Sequence, residues 1–273
     1  MPSASRLLRA LRHRGLPTAT RVRLLQLELA RRVRPRPAYP VPLGQTTIQL
    51  SDEDFEIDWK SFAFVAVDEA YAGDYTGAVV VDVGAHKGYY AAYALERGAR
   101  AVVSYEPETG NFELLERAAA AYRARGGEWH TRQAAVGAEQ GEAELHVMSA
   151  SWGHALHPPD AFAEYEVGVQ RVRVEALADV LAEARSLAAG ARLVVKVNIE
   201  GEECPVILGT PATAWDGVDE AYVETHPWAS CGADELARHL ESAGLSRSES
   251  AHPAVVRLQR RGSPPGGPRS SAT

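Results

Sequence analysis

Two acids and two glycines set out the chemistry open to this chain. Asp82, Gly84 and Gly88 stand in the run Val79-Val80-Val81-Asp82-Val83-Gly84-Ala85-His86-Lys87-Gly88-Tyr89-Tyr90, spaced D-x-G-x-x-x-G. A buried strand, a glycine turn and a helix start bring backbone close to a ligand and offer it unpaired N–H groups. A second apolar run, Ala101 to Tyr105, ends in Glu106, eighteen residues beyond Gly88. A carboxylate at the tip of a second strand is placed to hold both hydroxyls of a ribose. The pattern predicts a site for an adenosine-bearing cofactor. Asp82, Gly84, Ala85, Gly88, Tyr89 and Glu106 would bind it, with Gln133 and Ala135 from the next strand end.

The glycine spacing narrows the cofactor. A dinucleotide turn needs G-x-G-x-x-G, whose middle glycine leaves room for a pyrophosphate. Here His86 takes that place, and no G-x-x-x-x-G-K-[ST] phosphate loop occurs. S-adenosylmethionine has no phosphate, so one open glycine turn and one carboxylate suffice. The bland alternative is a strand–turn–helix corner that binds nothing, and Glu106 at this spacing weighs against it.

These groups need a sheet to converge. From residue 77 strands and helices alternate, which implies a doubly wound, mostly parallel Rossmann-like α/β sheet with helices on both faces. Strand 78–83 leads to helix 88–97, and strand 101–106 to helix 109–125, whose inner face is Phe112, Leu115, Ala119 and Tyr122. A strand near 130–136 precedes alternating segments 142–148 and 168–174, a β excursion. Helix 175–188, strand 192–199, strand 219–225 and helix 233–243 follow, and a hairpin over 245–250 and 254–260 closes the sheet. Ligands in such sheets lie beyond the carboxyl ends of the strands. That rule gathers the cofactor acids with Asn198 to Glu203 and Glu224 to His226, the last two groups beside the methyl group and its acceptor.

Ahead of the sheet, residues 4–15 and 19–34 read as basic helices, the second with Val22, Leu25, Leu29 and Val33 near one face. Such an arm either meets a membrane surface or partner, or packs on the domain. Pro35, Pro37, Pro40 and Pro42 read as a stiff linker, and a helix is expected near 60–72. The division is then a basic helical arm and linker over 1–45, a catalytic domain over 46–261, and a Ser/Pro/Gly-rich disordered tail over 262–273.

Charge and cysteine usage exclude some functions. The 273 residues carry a net charge of -7, yet residues 1–36 hold ten arginines against Glu28 alone, leaving about -16 for the rest. An acidic body argues against a broad nucleic-acid surface. No apolar run approaches the roughly 18–20 residues that cross a bilayer, and the N-terminus lacks a secretory-type apolar segment. Cys204 and Cys231 cannot build a disulfide framework and lack metal-ligand spacing, so the expectation is a reduced, cytoplasmic protein without a metal site.

The segments Val81 to Tyr90, Tyr105-Glu106-Pro107, Ala135-Val136-Gly137, Lys196-Val197-Asn198-Ile199-Glu200-Gly201-Glu202-Glu203 and Glu224-Thr225-His226-Pro227 resemble the FkbM family of methyltransferases over roughly residues 75–230. The first two motifs are shared by many class I methyltransferases, whereas the Lys196–Glu203 segment is particular to this family. The resemblance implies an S-adenosylmethionine-dependent enzyme that methylates a hydroxyl of a natural product or sugar. It also marks one departure. The family commonly has Asp where this chain has Asn198, which keeps hydrogen bonding but removes a charge.

In-line displacement at a sulfonium methyl asks the protein chiefly for alignment, which contributes roughly 7–11 kcal/mol at best. An alcohol acceptor gains a further factor of about 10²–10⁴ from a base. His226 is the first candidate for that base, being a group that titrates near neutral pH at a strand tip, against a turn cap before Pro227. Glu200 and Glu203 could bind the acceptor or take its proton, while Glu202 reads as a helix-start carboxylate. Lys196 either reaches the rim or pairs with Glu200 or Glu224. His154 sits in the excursion as a loop residue. A small-molecule O-methyltransferase is the leading reading. The alternatives are an RNA methyltransferase using the arginine-rich arm and a cofactor-binding homologue without turnover; self-association is left open.

Overall fold

The computed structural model describes residues 4–13, 15–30 and 36–260. Two helices, α1 (Ala4–Arg12) and α2 (Thr18–Ala30), precede a hairpin of β1 (Ala38–Leu43) and β2 (Thr46–Ser51), then α3 (Phe55–Ala66). The alternating part comprises β3 (Val79–Val83), α4 (Tyr89–Glu96), β4 (Ala101–Tyr105), α5 (Thr109–Arg123) and β5 (Glu128–Arg132). An excursion of β6 (Ala135–Gly137), β7 (Gly141–Met148) and β8 (Glu166–Ala176) follows, with a 3-10 turn at Asp160–Tyr165 before β8. The chain then returns through α6 (Leu177–Ala188), β9 (Leu193–Val197), α7 (Glu203–Gly209), β10 (Glu220–Glu224), α8 (Ala233–Ser242), β11 (Leu245–Ser248) and β12 (Val255–Arg260).

The main sheet runs β11-β12-β10-β9-β3-β4-β5, parallel from β10 through β5, with β12 antiparallel to β10 and β11 antiparallel to β12. Burial on both faces explains the unbroken valine runs. Val80, Val102, Val194 and Tyr222 face the core shared with α3, α4 and α5, while Val79, Val81, Val103, Val195 and Val223 face the core of α6, α7 and α8. Strand order reverses between β3 and β9, which opens the crevice at their carboxyl ends. The excursion forms its own sheet, β6-β8-β7. The doubly wound fold with its closing hairpin is therefore as expected.

Three expectations about the N-terminal part are corrected. Pro40 and Pro42 lie in β1, not in a linker, paired to β2 with Tyr39, Val41 and Leu43 buried. Their carbonyls accept bonds from Arg23 Nε (2.8 Å) and Thr20 Oγ1 (2.5 Å) of α2. Their missing N–H groups face the same way, away from β2, so the ladder loses no donor. The inner side of α2 is Thr20, Leu24 and Leu27, whereas Val22 and Leu25 are exposed; apolar residues on several faces hid the true one. Leu29's side chain, Val33 and the tail beyond Arg260 lie outside the described residues. Finally, α3 begins five residues before position 60, because Phe55, Trp59 and Phe62 form its buried stripe, and it closes before Glu69, whose φ is 50°.

Candidate active site

The glycine turn is built from both neighbouring strands. Gly84 and Ala85 donate to the Tyr105 carbonyl of β4 (3.1 and 2.9 Å), and Asn198 donates to the Val83 carbonyl (3.1 Å). Gly84 has φ 74°, and a Cβ there would stand 1.8 Å from the Asn198 carbonyl oxygen, so only glycine fits. Lys196 lies opposite Asp82 in the β3–β9 register. Its buried amine reaches Asp82 Oδ1 (3.1 Å) and donates to the carbonyls of Gly84 (2.6 Å) and Val83 (3.3 Å). Two carbonyl bonds and the Asp82 ion pair engage the amine, so Lys196 holds the turn in place, with no ion pair to Glu200 or Glu224 among the described residues.

A cavity of about 470 Å³ opens over this turn, at the carboxyl ends of the strands. Gly84, Ala85, His86, Tyr89, Glu106 and Ala135 line it, together with Asn198, Glu200 and Glu224. Glu106 Oε2 accepts the His86 N–H (2.8 Å) and Oε1 the Glu108 N–H (3.0 Å). A carboxylate has about four lone-pair sites, so each oxygen keeps one for a hydroxyl donor in the cavity. Burial, working against those two N–H bonds, raises the Glu106 pKa to about 7. These residues fit the adenosine end of S-adenosylmethionine: a diol acceptor, an open glycine turn and an unphosphorylated space.

Around Glu224 lies a linked polar cluster. Tyr71 Oη and Asn198 Nδ2 both donate to Glu224 Oε2 (2.6 and 2.8 Å), and Asn198 Oδ1 is buried without a partner. Glu203, fully buried, accepts the N–H groups of Ile199 (2.8 Å) and Gly201 (3.0 Å), and so shapes the loop that sets Glu200 at φ 55°. His226 lies between Glu203 (3.2 Å) and Glu200 (3.5 Å). Burial opposes its charge, but the bonds and charges of Glu200 and Glu203 prevail and lift its pKa to about 10.

Seven of the twelve residues singled out in the sequence, Gly84, Ala85, Tyr89, Glu106, Ala135, Asn198 and Glu200, meet at the cavity, and Lys196 touches its floor. Four stand off it. Asp82 is completely buried behind the turn as the counter-ion of Lys196. Gly88 packs against Leu115 and Trp129. Gln133 points outward and donates to Thr109 Oγ1 (3.1 Å). His226 is not among the residues that line the cavity and faces Glu203 and Glu200 instead. Sequence reasoning missed Lys87, whose buried amine meets Asp58 (2.6 Å) and Ser151 Oγ (3.1 Å), tying the motif to α3 and to the excursion. It also missed His86, held neutral by burial and by Lys87, with Nε2 3.1 Å from Ser151 Oγ. The run of ionisable residues after Gly84 was the available signal for both.

The cysteines depart from the expected reduced state. Cys204 of α7 and Cys231, after β10, form a disulfide with Cα atoms 5.7 Å apart. Neither lies in a recognisable spacing motif, and only the fold brings them together. Among the described residues no His, Cys, Asp and Glu group could hold a metal ion, and no helix is long and apolar enough to cross a membrane.

A sheet that reverses between β3 and β9, with a glycine turn and a carboxylate facing the crevice, defines the Rossmann-like architecture of a class I methyltransferase. The methyltransferase FkbM domain model matches residues 82–244, and the chain belongs to that family. Among solved structures it is similar to a methyltransferase FkbM from Methylobacillus flagellatus KT, at 13% identity over 76% of this chain and 55% of that one, TM-score 0.44. It is also similar to magnesium protoporphyrin IX methyltransferase from Synechocystis PCC 6803 with bound SAM, at 11% identity over 75% and 78%, TM-score 0.39. The chain thus spans just over half the length of the first of these. No curated protein matches it.

Proposed function

We propose that this methyltransferase uses S-adenosylmethionine to methylate a hydroxyl of a small molecule. The observation that carries the reading is one cavity lined both by the Glu106 carboxylate with the glycine turn and by the polar cluster of Asn198, Glu200 and Glu224. When bound, the cofactor supplies an electrophilic methyl group on a sulfonium centre, with a neutral thioether as leaving group. Glu106 accepts the ribose hydroxyls. Lys196 and Asp82 hold the Gly84 turn, and Asn198, just past β9, braces it through its N–H bond to the Val83 carbonyl. Tyr71 and Asn198 fix Glu224 by its Oε2, leaving Oε1 to accept the acceptor's hydroxyl proton as the new O–C bond forms. Glu224 therefore replaces His226 as the base in this reading. Glu200, whose pKa burial raises, hydrogen-bonds the acceptor.

Two of the arm's arginines are engaged within the chain, Arg9 with Asp68 (2.7 Å) and Arg23 with the Pro40 carbonyl. This favours a packed arm over one that tracks RNA phosphates. Asn198 donates to Glu224 where an Asp would repel it, so the departure from the family pattern does not itself argue for loss of turnover. Calorimetric titration with S-adenosylmethionine tests the cofactor half: saturable binding is expected, much weakened in Glu106→Ala, and its absence in a folded wild type would refute the reading. Glu224→Gln should then retain binding while losing methyl transfer.

A further inference from the structure

Beside the cofactor cavity lies a second one of about 290 Å³, lined by Met148, Trp152, Pro159, Phe162, Tyr165 and Trp228, with Glu200 as its only charged group. The four aromatic side chains come from three separate places: the loop after β7, the 3-10 turn before β8, and the segment after β10. Phe162 and Trp228 meet edge to face, with centroids 5.2 Å apart. Trp152 and Tyr165 are 44% and 51% exposed although large and apolar. Trp152, Ala155 and Glu200 line both cavities, so the apolar space continues from the cofactor cavity.

We propose that this aromatic-walled cavity seats the methyl acceptor, and that the acceptor is a planar aromatic alcohol whose hydroxyl projects past Glu200, which lines both cavities, into the cofactor cavity that Glu224 lines. The inference rests on the methyltransferase reading above and adds to it the class of substrate. Aromatic walls favour a planar ring in edge or offset contact. The volume is just under the roughly 300–1,000 Å³ usual for ligand cavities and suits one or two fused rings, not a macrocycle. A sugar would have only the hydroxyls of Ser149 and Tyr165, the indole N–H groups and Glu200 to pair its several hydroxyls in an otherwise apolar lining.

The test uses the full chain and three probes, titrated by calorimetry: 2-naphthol, methyl α-glucoside and S-adenosylhomocysteine. Phe162→Ala and Tyr165→Ala line the apolar cavity alone. Saturable 2-naphthol binding is expected, weakened about tenfold or more in each variant, with no saturable binding of the glucoside. S-adenosylhomocysteine should bind the wild type and both variants alike. Failure of 2-naphthol to bind, binding indifferent to both variants, or equal binding of the glucoside would overturn the inference while cofactor binding stands. Failure of S-adenosylhomocysteine alone would instead count against the cofactor reading, and the 2-naphthol arm would still decide the apolar cavity.

Discussion

Opening the Cys204–Cys231 disulfide should loosen the acceptor side of the site more than the cofactor side. The bond closes a loop of sequence separation 27 that contains β10 and therefore Glu224, His226 and Trp228. One end is on α7, directly after the Glu200–Glu203 loop. In the chain-entropy treatment a loop of this length restricts the unfolded chain by about 3.5 kcal/mol at 25 °C. For a chain of this size that corresponds to a fall in melting temperature of roughly 7–14 °C. The perturbation is Cys204→Ala with Cys231→Ala, backed by the wild type reduced with dithiothreitol. The assay is calorimetric melting, with thiol titration to confirm the redox state. S-adenosylhomocysteine binding should change little, because Glu106 and the Gly84 turn lie outside the loop, while 2-naphthol binding should weaken. A melting shift under about 2 °C in both the double variant and the reduced wild type, less than about 1 kcal/mol, would refute the argument that this loop is stapled in the native chain.

Gly84→Ala adds a left-handed backbone penalty of about 1–2 kcal/mol to a Cβ placed 1.8 Å from the Asn198 carbonyl, so denaturant unfolding should show a larger loss than that penalty alone. Lys196→Met strands Asp82 in a fully buried position and should cost about 3–5 kcal/mol, read from urea melts, with weaker cofactor binding because the turn loses its anchor. The folded pKa of Glu106, about 7 against an ordinary 4.5, means the native chain keeps a proton that the unfolded chain releases. Its contribution to stability is complete below pH 4.5 and lost as pH rises through about 7; Glu106→Gln should flatten that part of a stability–pH profile. Asn198→Asp places a second carboxylate where Nδ2 now lies 2.8 Å from Glu224 Oε2, and both cannot ionise together. The variant should lose stability with rising pH above the ordinary carboxylate range, in melts where the wild type shows no such added loss.

The sheet was legible because its signals are local. Runs such as Val79 to Val83 are buried on both faces, and Gly84, at φ 74°, turns the chain directly after β3. The N-terminal part was less so. Prolines at alternate positions of β1 mimic a linker until α2 supplies donors to their carbonyls, and the leucines and valines of α2 spread over several faces. Glu106 and Gly84 could be read because a strand tip and a turn fix where they stand. Asp82 could not, because its partner Lys196 lies 114 residues away and becomes a neighbour only through the β3–β9 register. The disulfide is hidden for the same reason: two isolated cysteines carry no spacing signal.

Lys196 shows how register divides a motif between contact and support. Opposite Asp82, it turns the first acid of D-x-G-x-x-x-G into a counter-ion, and its remaining donors fasten the two carbonyls beneath the turn. Just past the end of β9, Asn198 sets its carbonyl where a Cβ on Gly84 would stand and donates from Nδ2 to Glu224 of β10. The strand thus connects the cofactor turn on one side to the proposed base on the other. An alternating strand puts Lys196 and Asn198 on the same face, so one register fixes both. A one-residue slip of β9 would remove the anchor of the turn and the brace of Glu224 together. In the proposed function the Lys196–Glu203 segment is therefore the part that holds the cofactor turn and the proposed base at a fixed spacing, which is the alignment that methyl transfer requires.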